Sequence, residues 1–329
     1  MTYAFRKYLN VFLTSIALVI VFLLIRNIGG RQFLYSITLI NWKFSLIAFV
    51  LYLAVSTLKA VRFQVLVGTH VNILALLRIV FLQNFFNLIL PFKIGDLTYV
   101  HLLHQRSQVK LGKNIASLIS SRIFDFLSLI LIFSGVVFAT NSQARIATLH
   151  LTPITTGVFI FFLILLGIFI FASRWLVRLF VAGINWLRLQ DNRFIYTLIE
   201  KLREFSSAFA ELRTNVMFVN VASLSLLIWF LTFIIGIFMF RSVGLTLPNG
   251  LALFAYAFPI LIGLLPLFII GNLGFYEGSV IFGLFLVGIS RDQAILTSLL
   301  LHMQEILFVL TVAIISIGMP KIFKYVSIA

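Results

Sequence analysis

From Val216 to Phe240 the chain carries no charged residue. About 20 predominantly apolar residues suffice to carry a helix across the hydrocarbon core of a bilayer, so this run alone excludes an ordinary soluble fold. Comparable runs cover Leu9 to Ile25, Phe44 to Val67, Ile115 to Thr140, Leu151 to Ala172 and Ala294 to Gly318. A transmembrane barrel would show alternating segments of roughly ten residues instead. The expectation is an all-α polytopic membrane protein with about 7–9 hydrophobic segments, one or two of them broken or re-entrant helical hairpins. No polar interval is long enough for a soluble domain, so residues 1–329 read as one integral membrane domain.

The net charge of +16 would point to nucleic acid in a soluble chain. Here the basic residues fall in loops between spans, where they set topology and meet anionic lipid headgroups; no nucleic-acid partner is expected. Arg6 and Lys7 precede an uncleaved first span, and Lys321 and Lys324 follow the last one. The interval of about 173–215 holds seven Arg and Lys between Arg174 and Arg213, interleaved with Trp175, Leu179 and Trp186, and reads as an amphipathic linker on the cytoplasmic face. The expected location is the plasma (cytoplasmic) membrane, with both termini cytoplasmic and Asn141 to His150 outside. Lys59 and Arg62, in the last turns of the second span, are expected to snorkel to the cytoplasmic interface. The loop from His101 to Lys113 is basic, and its two His residues, His101 and His104, lack the further ligands a metal needs. No metal and no cofactor is expected. The absence of Cys removes thiol chemistry.

Two regions place charges beside helix breaks. In the first, Leu74 to Leu90 is a short apolar segment with basic flanks, read as re-entrant. It leads through Asn87, Pro91, Lys93 and Gly95 to Asp96, and the next span carries Arg122 and Asp125. In the second, Leu251 to Ile270 contains Pro259, Gly263 and Pro266. It is followed by Gly271, Gly274 and Glu277, and the last span carries His302 and Glu305. Residues three apart share a helix face, so each pair can point into one cavity. Opposite insertion sides and matched acidic spacing suggest an inverted repeat, about 74–140 and about 251–318. In transporters built this way the site lies near the midplane. Substrate-contacting candidates are Asn87, Lys93, Asp96, Arg122, Asp125, Glu277, His302 and Glu305; the structural breaks are Pro91, Gly95, Pro266, Gly271 and Gly274.

At these residues the sequence resembles the flippase-like transmembrane family, the membrane region of lysylphosphatidylglycerol synthases, in a stand-alone form without the aminoacyl transferase domain. Asn87, Leu90-Pro91, Lys93 and Gly95-Asp96 match its first signature, Arg122 and Asp125 its second, and Gly271, Leu273, Gly274 and Glu277 its third. The chain departs from the family pattern at Phe92, Asp96, Tyr99, Ser121 and Tyr276. The resemblance implies movement of a phospholipid or lipid-linked headgroup between leaflets, without catalytic residues. The alternatives are an integral-membrane transferase, disfavoured by short loops with few acidic residues, and an accessory scaffold for a lipid-modifying or glycosyltransferase enzyme. A partner enzyme of that kind and a homodimer belong to the same set of expectations.

The charge asymmetry makes a direct prediction. In this Cys-free chain, Arg145→Cys should react with an impermeant thiol reagent added from outside intact cells. Labelling only from the cytoplasmic side would overturn the topology and the inverted repeat with it.

Overall fold

The computed structural model describes residues 29–68, 71–90, 93–107, 111–140, 215–264 and 272–318, with isolated residues elsewhere. The expected spans Leu9 to Ile25 and Leu151 to Ala172, the loop Asn141 to His150 and the basic linker up to residue 214 lie outside this set, apart from single positions. So do Pro91, Pro266 and Gly271.

The described residues are helical and contain no strand. A short helix α1, Gly30–Thr38, leads into α2, Trp42–Val67, whose start is capped by the Asn41 side chain accepting from the Lys43 N–H. Then come α3, Ile73–Ile89, and α4, Ile94–Ser107, followed by α5, Leu111–Thr140. The second half comprises α6, Asn215–Ser242, α7, Asn249–Leu264, α8, Phe275–Leu286, and α9, Arg291–Gly318. Four of these, α2, α5, α6 and α9, are long and apolar enough to cross a membrane. Large apolar side chains on them face outward, among them Leu46, Phe138, Phe230 and Ile314. Around a soluble protein such a surface would aggregate; in a bilayer it meets lipid. The chain is a membrane-embedded helical protein.

The short helices are the interesting departure. At 1.5 Å per residue α3 is about 26 Å long and α8 about 18 Å, less than the ~30 Å hydrocarbon core. Each stands in a close pair, α3 with α4 and α7 with α8. Pro259 lies within α7, which continues past it to Leu264. α8 begins at Phe275, so Glu277 sits in its first turn. The interval 101–113, expected to be a loop, is helical to Ser107 and again from Leu111. Its basic residues suggested a loop, but Tyr99, Val100 and Leu103 are buried and hold this stretch against the core as helix.

Two apolar cores form. One gathers the C-terminal part of α2, the N-terminal part of α5, and α3 and α4, through Phe63, Leu76, Ile79, Tyr99 and Phe124. The other gathers the N-terminal part of α2, the C-terminal part of α5, and α6 to α9, through Phe133, Phe233, Phe240, Phe254 and Leu284. The frame helices α2 and α6 make the most extensive contact among the described helices. Their ends are tied where the Asn41 N–H donates to the Ser242 carbonyl at 2.8 Å.

Each short pair closes over a glycine. A Cβ at Gly95 would collide with the Gln83 carbonyl and with Asn87 of α3; one at Gly283 would collide with the Ala255 carbonyl of α7. Backbone atoms cannot yield as a side-chain tip can, so the two helices must part. Gly95→Ala should therefore lower stability by about 1–3 kcal/mol, the usual cost of overpacking, read as a lower thermal midpoint of the purified protein in detergent. An unchanged midpoint would mean the α3–α4 approach is looser than this.

Candidate functional site

Asp125, in the middle of α5, has no water to turn to: it is 2% exposed. Its partner is Arg62 of α2, equally buried, whose Nη1 and Nη2 donate to Oδ1 and Oδ2 at 2.6 and 3.2 Å. From α6, the Trp229 indole N–H donates to Asp125 Oδ1 at 2.8 Å, and Ser225 Oγ accepts from Arg62 Nη1 at 2.8 Å. Three spans are thus joined at one level, where the two apolar cores meet. The expectation that Arg62 snorkels to the interface is corrected. A carboxylate 63 positions away holds it inside, and an internal hydrogen-bonded ion pair costs less than either charge alone in lipid.

One turn before Asp125 on α5, Arg122 faces Asp96 in the first turn of α4. Its Nη2 lies 2.6 Å from both carboxylate oxygens and its Nε 3.2 Å from Oδ2. The Asp125 carboxylate is 3.7 Å from Arg122 Nη1, a weaker secondary contact. Asp96 also accepts from the side-chain amides of Gln83 at 2.8 Å and Asn87 at 3.0 Å, both on α3. This pair is less sealed than the first, with the Arg122 side chain 34% exposed.

The second half builds a different arrangement. Glu277 Oε2 accepts from the Gly274 N–H at 2.7 Å, closing the first turn of α8, and Oε1 lies 2.8 Å from His302 Nδ1 on α9. Both residues are buried, and the Tyr276 ring stacks on His302 with centroids 4.5 Å apart.

A cavity of about 250 Å³ lies among α2, α3 and α5 to α9. Of the residues singled out from sequence, it brings together Asn87, Lys93, Arg122, Asp125 and Glu305 on its wall. Asp96 sits behind Arg122. Glu277 and His302 are outside the lining: His302 and Glu305 share a helix, but His302 turns to Glu277 while Glu305 reaches the cavity. Gly95 and Gly274 lie at the start of α4 and immediately before α8. Lys93 and Asn272, one beside each helix break, both line the cavity, and both adopt positive φ, +56° and +53°. Non-glycine residues hold such a backbone only where surroundings impose it, and they gather at functional sites.

Sequence reasoning missed several wall residues: Tyr52, Lys59, Arg62, Asn84 and Trp229. The signals existed. Lys59 and Arg62 are the only charges between Phe44 and Val67, and Trp229 sits mid-span rather than at an interface. Asn84 donates to the Tyr52 hydroxyl at 3.0 Å, which joins α3 to α2 beside the cavity. Among the described residues no group of three or more His, Asp and Glu could hold a metal ion.

The chain matches the family described as Lysylphosphatidylglycerol synthase TM region over residues 10–313. None of the curated proteins and none of the solved structures compared with it matches significantly.

The Arg62–Asp125 pair can be tested apart from any activity. Arg62→Ala leaves a buried carboxylate without its main partner and should cost about 3–5 kcal/mol. The double replacement Arg62→Met with Asp125→Leu removes both charges and should be markedly less damaging. Denaturant titrations in mixed micelles compare the two; a double variant as unstable as the single one would show that the pair does not anchor the three spans as an ionic unit.

Proposed function

The chain belongs to the lysylphosphatidylglycerol synthase TM region family, and from that premise we propose that it moves a phospholipid or lipid-linked headgroup between the leaflets of the cytoplasmic membrane. The observation that carries the reading is one polar cavity, lined from beside both helix breaks, inside a bundle whose outer face is apolar. A headgroup would occupy the cavity while its acyl chains stay in the surrounding lipid.

Arg122 is the residue with the chemistry for this. It lies on the cavity wall, it is the more exposed of the two paired arginines, and its planar fork suits a phosphate as well as a carboxylate. When a phosphate draws Arg122 away, Asp96 keeps the amide donors of Gln83 and Asn87. Neither charge is then left bare at membrane depth, and that lowers the barrier to exchange. Arg62 and Asp125 stay locked, so the bundle keeps its frame. The described sequence offers no Gly-rich nucleotide-binding loop of the Gly-Lys-Ser/Thr type. In this reading the drive is the membrane potential, an ion gradient or the lipid gradient. The loop charge bias supports cytoplasmic termini, and a partner lipid-modifying enzyme would supply or consume the headgroup.

Arg122→Leu should reduce headgroup translocation in reconstituted liposomes by at least about tenfold, the scale of losing a charged contact. Arg122→Lys should retain part of the rate, because an ammonium cannot make the two-pronged contact. Leaflet-specific headgroup labelling gives the rates. Full activity in a correctly inserted Arg122→Leu protein would make this arginine a structural contact and end the exchange mechanism.

A further inference from the structure

Two cations in the cavity make no close ion pair among the described residues. Lys59 of α2 and Lys93 ahead of α4 both line it, and neither makes a hydrogen bond or an ion pair among the described residues. Lys59 lies close enough to interact electrostatically with Asp125, Arg122, Arg62 and Lys93, and Lys93 with Arg122, Asp96 and Glu305. Glu305 of α9 is the one lining carboxylate without an ion pair among the described residues. Its field reaches Lys93 and the hydroxyls of Tyr52, Tyr256 and Tyr276.

The charges of this wall can be balanced. Arg62 cancels Asp125 and Arg122 cancels Asp96. Among the described residues Lys59 and Lys93 then stand against Glu305 alone, a surplus of one positive charge on this wall. The stretches between α3 and Lys93, and between α7 and Asn272, contain no ionisable side chain, so they leave the balance unchanged. An uncompensated charge is costly in a low-dielectric interior and favours a ligand that cancels it.

We infer that the cavity selects a headgroup of net charge −1, a phosphodiester whose polar end carries hydroxyls rather than an ammonium group. The phosphate lies with Lys59, Lys93 and Arg122. The hydroxyls donate to Glu305 and meet the amides of Asn84 and Asn272 and the tyrosine hydroxyls, all on the same wall. A zwitterionic headgroup leaves the surplus in place, an aminoacylated cationic one doubles it, and a phosphomonoester dianion reverses its sign. The inference rests on the lipid-translocation reading for the identity of the ligand as a lipid, but not for its charge.

The test uses the full chain and lipids with matched acyl chains: phosphatidylglycerol, phosphatidylethanolamine and phosphatidate. Competition binding in detergent, read by native mass spectrometry, should favour phosphatidylglycerol over phosphatidylethanolamine by at least about tenfold. Lys59→Gln removes the surplus and should bring these two lipids to near parity. Glu305→Gln raises it and should shift preference toward phosphatidate. The two variants move selectivity in opposite directions, which a merely structural role would not do; if one does not yield monodisperse protein, the other and the native chain decide. Equal binding of phosphatidylethanolamine and phosphatidylglycerol by the native protein, or unchanged selectivity in a folded variant, overturns the inference. The same lipids are then followed for translocation in liposomes. Selective binding with no movement of any lipid upholds the charge assignment and sinks the translocation reading; equal movement of all three does the reverse. Glycerophosphoglycerol, which lacks acyl chains, tells a lipid site from a solute site. If it binds as tightly as phosphatidylglycerol, the headgroup class stands and the site serves a soluble diester.

Discussion

Arg62 and Asp125 decide how the long helices of this protein stand. A charge near the middle of an apolar span is tolerated only with an internal partner, and here each supplies the other from a different span. Ser225 and Trp229 bring in the third helix, one accepting from the guanidinium and the other donating to the carboxylate. Register is the consequence. Sliding α2 by one turn against α5, about 5.4 Å, would separate the charges, whereas apolar contacts alone would tolerate it better. The pair also lies where the two apolar cores meet, so it joins them as well as the spans.

With the frame fixed, the short helices place polar groups where a continuous span could not. The chain after α3 and before α8 leaves helical geometry, and Lys93 and Asn272 take left-handed backbone beside those breaks. The two halves handle their acidic residues differently. Asp96 takes two amides and a partly exposed arginine, a set that allows exchange, while Glu277 is held by the Gly274 N–H and His302 away from the cavity wall. One half thus presents a mobile ionic contact and the other a fixed support, with Glu305 as the carboxylate that α9 sends to the cavity.

By itself the sequence determined the class of the protein. Runs such as Val216 to Phe240 leave no soluble alternative, because they match the thickness of the bilayer core and carry nothing to hydrate. It also marked the four described long spans to within a few residues, and the two interrupted regions, since proline, glycine and charge act locally. It could not say which charge pairs with which. The i,i+3 spacing set Arg122 and Asp125 on one helix face, where Arg122 could meet either Asp96 or Asp125; the structure gives Asp96 to Arg122 as its tighter partner and Arg62 to Asp125. The same spacing sent His302 and Glu305 to a common cavity, but the nearer carboxylate of Glu277 captures the histidine. Those choices belong to the tertiary structure. Ion pairing depends on the separation and burial of groups tens of positions apart, and only the packing of α2 and α4 on α5, and of α8 on α9, sets those distances.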